Sequence, residues 1–368
     1  MVDTVARAVL ALLTFTPNRA ILGGLLEQRV HVSTKGRGMI SKQRHRFLAV
    51  FVAVVLFLCL IAVAAGAFWT TGPSLQCAAP DQGPAQTGWS ARTVDSGGRE
   101  RCYHLYIPPG YDPAQPEPVV VSLHGFVLNP DTQAAISGWH ELADREGFIV
   151  VYAQGTSYPR RWNAGDTWGA DEVDDVQFFR DLVDDLSTLA AVDRSRVYVN
   201  GFSNGGGMSV RIGCDAADAV AAIGSVAGAV VDMAACNPSR PVPAMVFHGT
   251  ADWIVPYEGG LIQVLPLRYA ADLVQAPSEF VGVEEWVDTL AGINGCDPAA
   301  EALPPQGDVR GRRYAGCDQD AEVILYTIED GGHQWPGGGT IPGAGKNTKQ
   351  IDATEEMWRF FQDYSLEQ

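Results

Sequence analysis

The chain has 368 residues, of which 46% are hydrophobic, so it can bury the core of one large domain or two ordinary ones. Disorder is therefore not what this composition predicts. Residues 1–68 contain eight Lys or Arg and two Asp or Glu, whereas residues 69–368 contain 18 basic and 41 acidic residues. Because an acidic surface repels nucleic acid and anionic lipid headgroups, we expect neither as a partner of the second part.

The first distinctive segment is the uncharged stretch 47–68, which follows the basic residues KQRHR. Its length is close to the roughly 20 residues that span a bilayer and exceeds the apolar core of most signal peptides. We predict a signal peptide or a membrane anchor here, behind a cytoplasmic leader at 1–46. The basic flank then leaves the rest of the chain secreted or extracytoplasmic. A small-residue pattern at 65–67 permits cleavage, and Met39 is a hypothetical second translation start.

Six cysteines follow this segment, and an even number in an exported protein predicts three disulfide bonds. Pairing between sequence neighbours is the simplest arrangement, although the sequence alone leaves the others open. A zinc site is not expected, because no CxxC or HxxxH spacing occurs, and we predict neither metal nor cofactor. The six are Cys77, Cys102, Cys214, Cys236, Cys296 and Cys317.

A segment rich in proline, glycine and small polar residues at 69–90 predicts a linker, followed by one domain at 91–368. In that domain, apolar β-branched runs alternate with amphipathic segments, such as a helix that begins behind Asp174 or Asp175. This alternation predicts an α/β fold, with a mostly parallel sheet covered by helices on both faces and a site at the strands' carboxyl ends. The runs are 103–108, 118–125, 148–155, 196–203, 220–228, 243–249 and 322–328.

The sequence GFSNG at 201–205 lies where a predicted strand meets a predicted helix. A GxSxG motif at such a turn is typical of a nucleophile elbow, whose glycines avoid collisions while the serine side chain stands clear. A structural glycine-rich turn is the alternative interpretation. The context favours Ser203 as a catalytic nucleophile.

The acid and base of a catalytic triad follow such a serine in that order. Asp252 lies beyond the predicted strand at 243–249, and His333 lies beyond the strand at 322–328. We predict that His333 takes the proton of Ser203 and that Asp252 orients the imidazole. Asp330 is a rival acid, but it is too near His333 in sequence to reach behind the ring. We interpret His248 as a structural histidine.

A second turn, His124-Gly125-Phe126, ends the predicted strand 118–125. In hydrolases of this layout it supplies an oxyanion hole, so we predict the backbone N–H groups of Phe126 and Asn204 as donors. Aromatic residues crowd the same loops and favour an apolar cleft for an aryl, sugar or polyester group. The predicted substrate-binding residues are His124, Trp162, Trp168 and Trp335.

Several motifs in order resemble the secreted polyhydroxybutyrate depolymerase-like and feruloyl esterase family of the α/β-hydrolase superfamily. The resemblance covers about residues 92–364 and implies an esterase with Ser203, Asp252 and His333 as its triad. Two segments, 126–130 and 261–280, depart from the family pattern. The matching motifs are LHG (123–125), VDDVQF (173–178), GFSNGGGM (201–208), HGTAD (248–252), VPYEGG (255–260), NGC (294–296), GGHQWPGG (331–338) and DATEEMWRFF (352–361).

The resulting hypothesis is an exported serine esterase that hydrolyses feruloyl or acetyl esters of plant polysaccharides through an acyl-enzyme. A polyhydroxyalkanoate or polyester depolymerase, or an oligomer hydrolase, is the alternative enzyme. A non-catalytic cell-surface carbohydrate-binding module is an alternative of another class, and loss of a triad member would favour it. A peptidase on the same fold is less favoured, because no propeller or other large accessory domain precedes the catalytic part.

Overall fold

The computed structural model describes residues 80–81, 83–156, 159–165, 173–261 and 279–367. The leader at 1–46, the apolar segment 47–68 and the residues Cys77 and Trp168 lie outside these ranges, so the predictions made for them stay predictions. None of the helices within the ranges has the length and apolarity that crossing a bilayer requires.

Most of the strands belong to one large sheet, and most of its central strands are short and apolar. The sheet strands are β1 (Gly88–Ser96), β2 (Arg99–Ile107), β3 (Glu117–Leu123), β4 (Ile149–Ala153), β5 (Val192–Phe202), β6 (Ala222–Val226), β7 (Ala244–Gly249), β10 (Glu301–Gln306), β11 (Val309–Tyr314) and β12 (Val323–Ile328). Two short strands, β8 (Gly260–Leu261) and β9 (Glu279–Phe280), pair separately.

The strand order across the sheet is β1-β2-β4-β3-β5-β6-β7-β12-β11-β10. From β4 to β12 all neighbours are parallel, whereas β1, β2, β11 and β10 extend the two edges in antiparallel pairs. The predicted mostly parallel sheet is therefore confirmed.

Helices cover both faces of the sheet, as predicted. Successive strand residues point to opposite faces, so Val119 and Val121 pack into one core cluster and Val120 into the other. Helices α3, α4 and α5 contribute to the first cluster, and α1, α2 and α6 contribute to the second. The helices are α1 (Pro130–Ser137), α2 (Trp139–Glu146), α3 (Asp175–Leu189), α4 (Asn204–Asp215), α5 (Val283–Ile293) and α6 (Ala353–Phe361).

The order of the central strands creates the place for a site. The chain passes from β3 outward to β4 and then returns to β5 on the other side of β3. Ligands of open α/β sheets bind where the strand order reverses in this way, at the carboxyl ends of the strands. Leu123 is the register partner of Gly201, so the turn after β3 lies beside the turn after β5.

The structure adds edge strands that the sequence did not predict. β1 begins at Gly88, inside the predicted linker 69–90 and before the predicted domain start at residue 91. Upstream residues also bind this strand, because the Arg92 guanidinium donates to the carbonyl oxygens of Asp81 and Gly83. The ordered fold therefore extends into the proline-rich segment.

Two of the predicted disulfide bonds join sequence neighbours. Cys214 pairs with Cys236, and Cys296 pairs with Cys317, which confirms the simplest arrangement for these four residues. Cys102 is also disulfide-bonded. The first bond ties the last turn of α4, the helix behind the predicted nucleophile, to the loop that follows β6.

Candidate active site

Ser203 occupies a strained turn between β5 and α4, with φ 56° and ψ −119°. A non-glycine residue with positive φ is uncommon and costs free energy that the surrounding structure must offset. The turn also needs glycine on each side of it. A Cβ atom on Gly201 would lie 2.2 Å from the carbonyl oxygen of Gly205, and one on Gly205 would lie 2.3 Å from that of Leu123.

Backbone hydrogen bonds hold this turn from both directions. The Ser203 N–H donates to the carbonyl oxygen of Val226 on β6 at 2.9 Å. The Ser203 carbonyl oxygen accepts from the N–H groups of Gly207 and Ala229, each at 3.0 Å. The sheet and the helix thus fix the backbone of Ser203, and its side chain stands at the carboxyl end of β5, where the sequence predicted a nucleophile.

Asp252 and His333 meet at the ends of the neighbouring parallel strands β7 and β12. His333 Nδ1 donates to Asp252 Oδ2 at 2.6 Å, and both side chains are buried. Because a carboxylate only accepts, Nδ1 carries a proton, and neutral imidazole then has an unprotonated Nε2 that can take one. The residue order predicted this pair. Asp330, the rival acid, is exposed and lies in the left-handed region.

Glycines allow the two loops to approach each other closely. A Cβ atom on Gly249 would lie 2.2 Å from the carbonyl oxygen of Gly331, so only glycine fits there. The same carbonyl oxygen accepts from the N–H of Ala251 at 2.9 Å. This contact joins the two loops that carry the acid and the histidine.

The Asp252 carboxylate is stabilised as an anion. Its Oδ1 accepts from the N–H groups of Ile254 and Val255, each at 2.9 Å. Burial alone would raise the pKa of Asp252, but the nearby His333 charge and hydrogen bonds from His248 and His333 outweigh it and lower this pKa below its ordinary value. Asp252 is therefore ionised at neutral pH.

The end of β5 lies against the Asp252–His333 pair. The ring of Phe202, the residue before Ser203, has its centroid 4.7 Å from that of His333. The turn after β3 approaches from the other side, because a Cβ atom on Gly125 would lie 3.2 Å from Ser203 Cβ. The structure thus brings the predicted serine, acid, histidine and oxyanion turn to one corner of the sheet.

His124 determines the shape of the turn after β3. Its Nε2 accepts from the Gly155 N–H at 3.0 Å, so in the neutral ring the proton is on Nδ1, which donates to the Gly125 carbonyl oxygen at 2.8 Å. Burial lowers the pKa of His124 to about 3, although the bond to Gly125 opposes this shift. His124 is therefore neutral and holds one tautomer.

Asn204 and Trp162 link the nucleophile turn to the loop after β4. The Trp162 indole N–H donates to the His124 carbonyl oxygen at 2.9 Å, and its backbone N–H donates to Asn204 Oδ1 at 2.8 Å. Asn204 is fully buried, whereas Phe126 is half-buried against the core. The two predicted oxyanion donors thus belong to the two turns that flank Ser203.

The predicted substrate contacts of His124, Trp162 and Trp335 need correction. Their exposed fractions are 0%, 1% and 0%, so none of the three side chains presents a surface to a ligand. Internal partners use their polar atoms, and the Trp335 indole N–H donates to Thr354 Oγ1 at 2.9 Å. These residues therefore support the site by packing around it.

A buried charge network next to Trp162 was not predicted from the sequence. Arg101 Nη2 lies 2.6 Å from Asp175 Oδ1, and both side chains are almost wholly buried. Asp175 Oδ2 accepts from the N–H of Asn163, next to Trp162, at 2.7 Å. The Arg101 guanidinium also lies 3.8 Å from the centroid of the Phe178 ring. The available signal was an arginine on the same face of β2 as Tyr103, Leu105 and Ile107.

No cluster of histidine, cysteine and carboxylate side chains that could hold a metal ion occurs among the described residues. The groups that meet at this corner are a hydroxyl, an imidazole, a carboxylate and backbone N–H groups. That set suits nucleophilic attack on a carbonyl carbon, followed by proton transfer.

The chain is similar to proteins that are described as esterases. The sequence profile of a family described as "Esterase PHB depolymerase" matches residues 101–255. Feruloyl esterase B of Piromyces equi is 32% identical over 233 residues, which are 62% of this chain and 41% of that protein. "Putative esterase NocK" of Nocardia uniformis subsp. tsuyamanensis is 33% identical over 265 residues, 69% of this chain and 75% of that protein. The chain thus spans less than half of feruloyl esterase B.

A solved structure shares the fold. Acetyl xylan esterase from Aspergillus awamori superposes with a TM-score of 0.51 at 16% sequence identity, covering 74% of this chain and 99% of that one. Together with the doubly covered, mostly parallel sheet, this likeness confirms the predicted α/β-hydrolase fold.

Proposed function

Since the chain belongs to the family of PHB depolymerase-like proteins and feruloyl esterases, we propose that it hydrolyses feruloyl or acetyl esters of plant polysaccharides. It is a carboxylic-ester hydrolase. The observation that carries the proposed mechanism is the bond from His333 Nδ1 to Asp252 Oδ2 beside the Ser203 turn. The mechanism needs no cofactor.

In this mechanism Ser203 Oγ attacks the ester carbonyl carbon, while His333 Nε2 accepts the hydroxyl proton. Asp252 stabilises the imidazolium, and the backbone N–H groups of Phe126 and Asn204 stabilise the oxyanion. When the tetrahedral intermediate collapses, the alcohol leaves with the proton from His333. Water, deprotonated by the same imidazole, then releases the acid and restores the serine.

Two candidates exist for the acyl group of the substrate. The relative named feruloyl esterase B supports an aryl-carboxylic ester, and the family description supports a hydroxyalkanoate polyester as the second candidate. We expect kcat/KM to be higher on methyl ferulate or acetylated xylan than on hydroxybutyrate oligomers when the rates are measured side by side. The reverse order would favour the polyester depolymerase.

The role of Ser203 is tested by Ser203→Ala, with Ser187→Ala on α3 as a matched control. We expect Ser203→Ala to lower kcat on p-nitrophenyl acetate by at least about a thousandfold, because the nucleophile is lost. The control variant keeps its rate, and the two variants melt within a few degrees of the unaltered protein. A Ser203→Ala enzyme with its rate intact would overturn the triad, and an inactive unaltered protein would favour a carbohydrate-binding module.

We also propose that the enzyme works outside the cytoplasm, secreted or held by residues 47–68. The disulfide bonds Cys214–Cys236 and Cys296–Cys317 support this, because such bonds persist in oxidising compartments. The acidic composition argues against a nucleic-acid partner. Mass spectrometry of the native product tests the start at Met39 and the fate of the apolar segment, since a product that retains 1–38 excludes that start.

A further inference from the structure

His248 is the second-last residue of β7 and lies four residues before the acid of the proposed triad, and its side chain is fully buried. Its Nε2 lies 2.9 Å from the carbonyl oxygen of Val255 and 3.4 Å from Asp252 Oδ2. A carbonyl oxygen only accepts, so Nε2 carries a proton. The same nitrogen is also close to the carboxylate oxygen that accepts the hydrogen bond from His333 Nδ1.

His248 and the turn after Asp252 together form a closed ring of contacts. The Val255 N–H donates to Asp252 Oδ1 at 2.9 Å, while the Val255 carbonyl oxygen accepts from His248. Asp252 thus binds the N–H of Val255, and His248 binds the carbonyl oxygen of the same residue. Both carboxylate oxygens are fixed, and Oδ2 points to His333.

We propose that His248 is a positioning residue for the reaction, which fixes the Asp252 carboxylate toward His333 through its Nε2–H. This inference rests on the proposed function, because it concerns the acid of that triad. It replaces our interpretation of His248 as a structural histidine.

The surroundings of His248 leave Asp252 as its nearest charged neighbour. The Tyr257 ring stands edge-on to it at 6.0 Å, and the Tyr257 hydroxyl bonds to Thr327 on β12 and to Glu284 on α5. Lys346 lines the same small cavity but pairs with Asp308 at 2.7 Å. His333 is the other titratable group, and it acts through Asp252.

The other ring nitrogen provides a way to separate positioning from packing. His248 Nδ1 is buried and has no hydrogen-bond partner within the described part of the chain. The neighbours therefore use only Nε2. A glutamine side chain can place its amide nitrogen near the position of Nε2, whereas the shorter asparagine side chain places it near that of Nδ1. His248→Gln and His248→Asn form a matched pair of amides that differ in reach.

Loss of the Nε2–H should alter the pH dependence as well as the rate. In the unaltered protein the Nε2–H offsets part of the negative charge of Asp252. Without this donor, more of that charge acts on His333 and stabilises its protonated imidazole. We therefore expect the acid limb of kcat/KM for His248→Asn to move to higher pH. Misorientation of the acid should also lower kcat by about ten- to a hundredfold, while KM stays within about twofold.

The experiment measures pH profiles of both variants on p-nitrophenyl acetate, with thermal unfolding and the Ser203→Ala enzyme alongside. We expect His248→Gln to keep kcat within about threefold of the unaltered protein, with an unmoved acid limb, and His248→Asn to show both changes. Equal rates in the three proteins would overturn the proposal, as would equal losses in both variants without movement of the acid limb.

The proposal remains testable if His248→Asn does not fold. In that case, a folded His248→Gln enzyme whose kcat is more than about tenfold below that of the unaltered protein contradicts the proposal. A His248→Gln enzyme whose kcat stays within threefold, with an unmoved acid limb, supports it. Failure of the proposed function is distinguished from these outcomes, because Ser203→Ala would then keep its activity.

Discussion

Trp162 and Asn204 bind each other twice. The Trp162 N–H donates to Asn204 Oδ1 at 2.8 Å, and Asn204 Nδ2 donates to the Trp162 carbonyl oxygen at 3.1 Å. Asn204 directly follows the proposed nucleophile, so this pair ties the loop after β4 to the first residue of α4.

We therefore expect Asn204→Ala to lower both stability and activity. It leaves two buried backbone groups of Trp162 without partners, which costs about 2–3 kcal/mol of unfolding free energy. It also frees the turn that carries a proposed oxyanion donor, so kcat should fall by about tenfold or more. Denaturant unfolding and steady-state kinetics check both effects. Asn204→Asp keeps the acceptor for the Trp162 N–H but buries a carboxylate against the Trp162 carbonyl oxygen, so it should lose at least as much stability. An Asn204→Asp variant as stable as the unaltered protein would contradict this account.

Asp252→Asn tests the orientation of the imidazole. The Ile254 and Val255 N–H groups hold the amide oxygen at the position of Oδ1, so the amide nitrogen faces His333. It cannot accept a hydrogen bond from His333 Nδ1, so the ring should turn or adopt the other tautomer, with its Nε2 protonated. We expect kcat to fall by roughly 10⁴-fold, the size of this effect in other serine hydrolases. Asp330→Asn should keep the full rate, because Asp330 is exposed and Asp252 holds His333. A larger loss for Asp330→Asn than for Asp252→Asn would make Asp330 the acid.

His124 gives the folded protein a specific sensitivity to acid. Burial lowers its pKa to about 3 from the ordinary 6.5, so between these values the unfolded chain binds a proton that the folded chain does not. The unfolding free energy should therefore decrease as the pH falls from about 6.5 toward 3, with a contribution approaching about 1.4 kcal/mol per pH unit. His124→Asn removes the titrating group. Chemical denaturation across this range should show a shallower pH dependence for the variant, and identical slopes would contradict the assignment.

The Arg101–Asp175 pair should be costly to break from one side. Asp175→Leu leaves the Arg101 charge buried and removes the acceptor of the Asn163 N–H, so we expect a loss of about 3–5 kcal/mol. Replacing both, as Arg101→Met with Asp175→Leu, should recover much of that loss. Asp218→Leu, which breaks the exposed Arg180–Asp218 pair, serves as the control and should cost about 1 kcal/mol or less. Denaturant unfolding measures all three, and a double variant no better than the single one would contradict the buried-charge explanation.

The sequence predicted the centre of the fold better than its edges. The central parallel strands are buried on both faces, so they appear as continuous apolar runs such as VVV in β3. β1 and β10 lie at the edges and include many polar or exposed residues, and β10 contains two prolines, which edge strands tolerate. Their hydrogen-bonded pairing depends on neighbours distant in sequence, which local composition does not reveal.

The residues of the site divide in the same way, into those that local sequence reveals and those that depend on packing between distant elements. Ser203, Asp252 and His333 follow strands whose ends a parallel sheet must bring together, so their order and spacing were informative. Whether an aromatic ring faces a cleft or the core depends on the packing of several elements. Trp162 and Trp335 were misassigned for this reason. The proposed positioning role of His248 had no local signal, because its partner Val255 lies seven residues further on, beyond the turn at Asp252.

The positive φ of Ser203 connects the proposed reactivity of this residue with the stability of the folded protein. A residue held in that region costs about 1–3 kcal/mol, and glycine would occupy the same turn with less strain. This strain therefore lies at the residue whose hydroxyl we propose as the group that attacks the ester. In a descendant that no longer needed to react, selection for stability alone would favour replacing this serine by glycine, so the serine persists only while turnover is under selection.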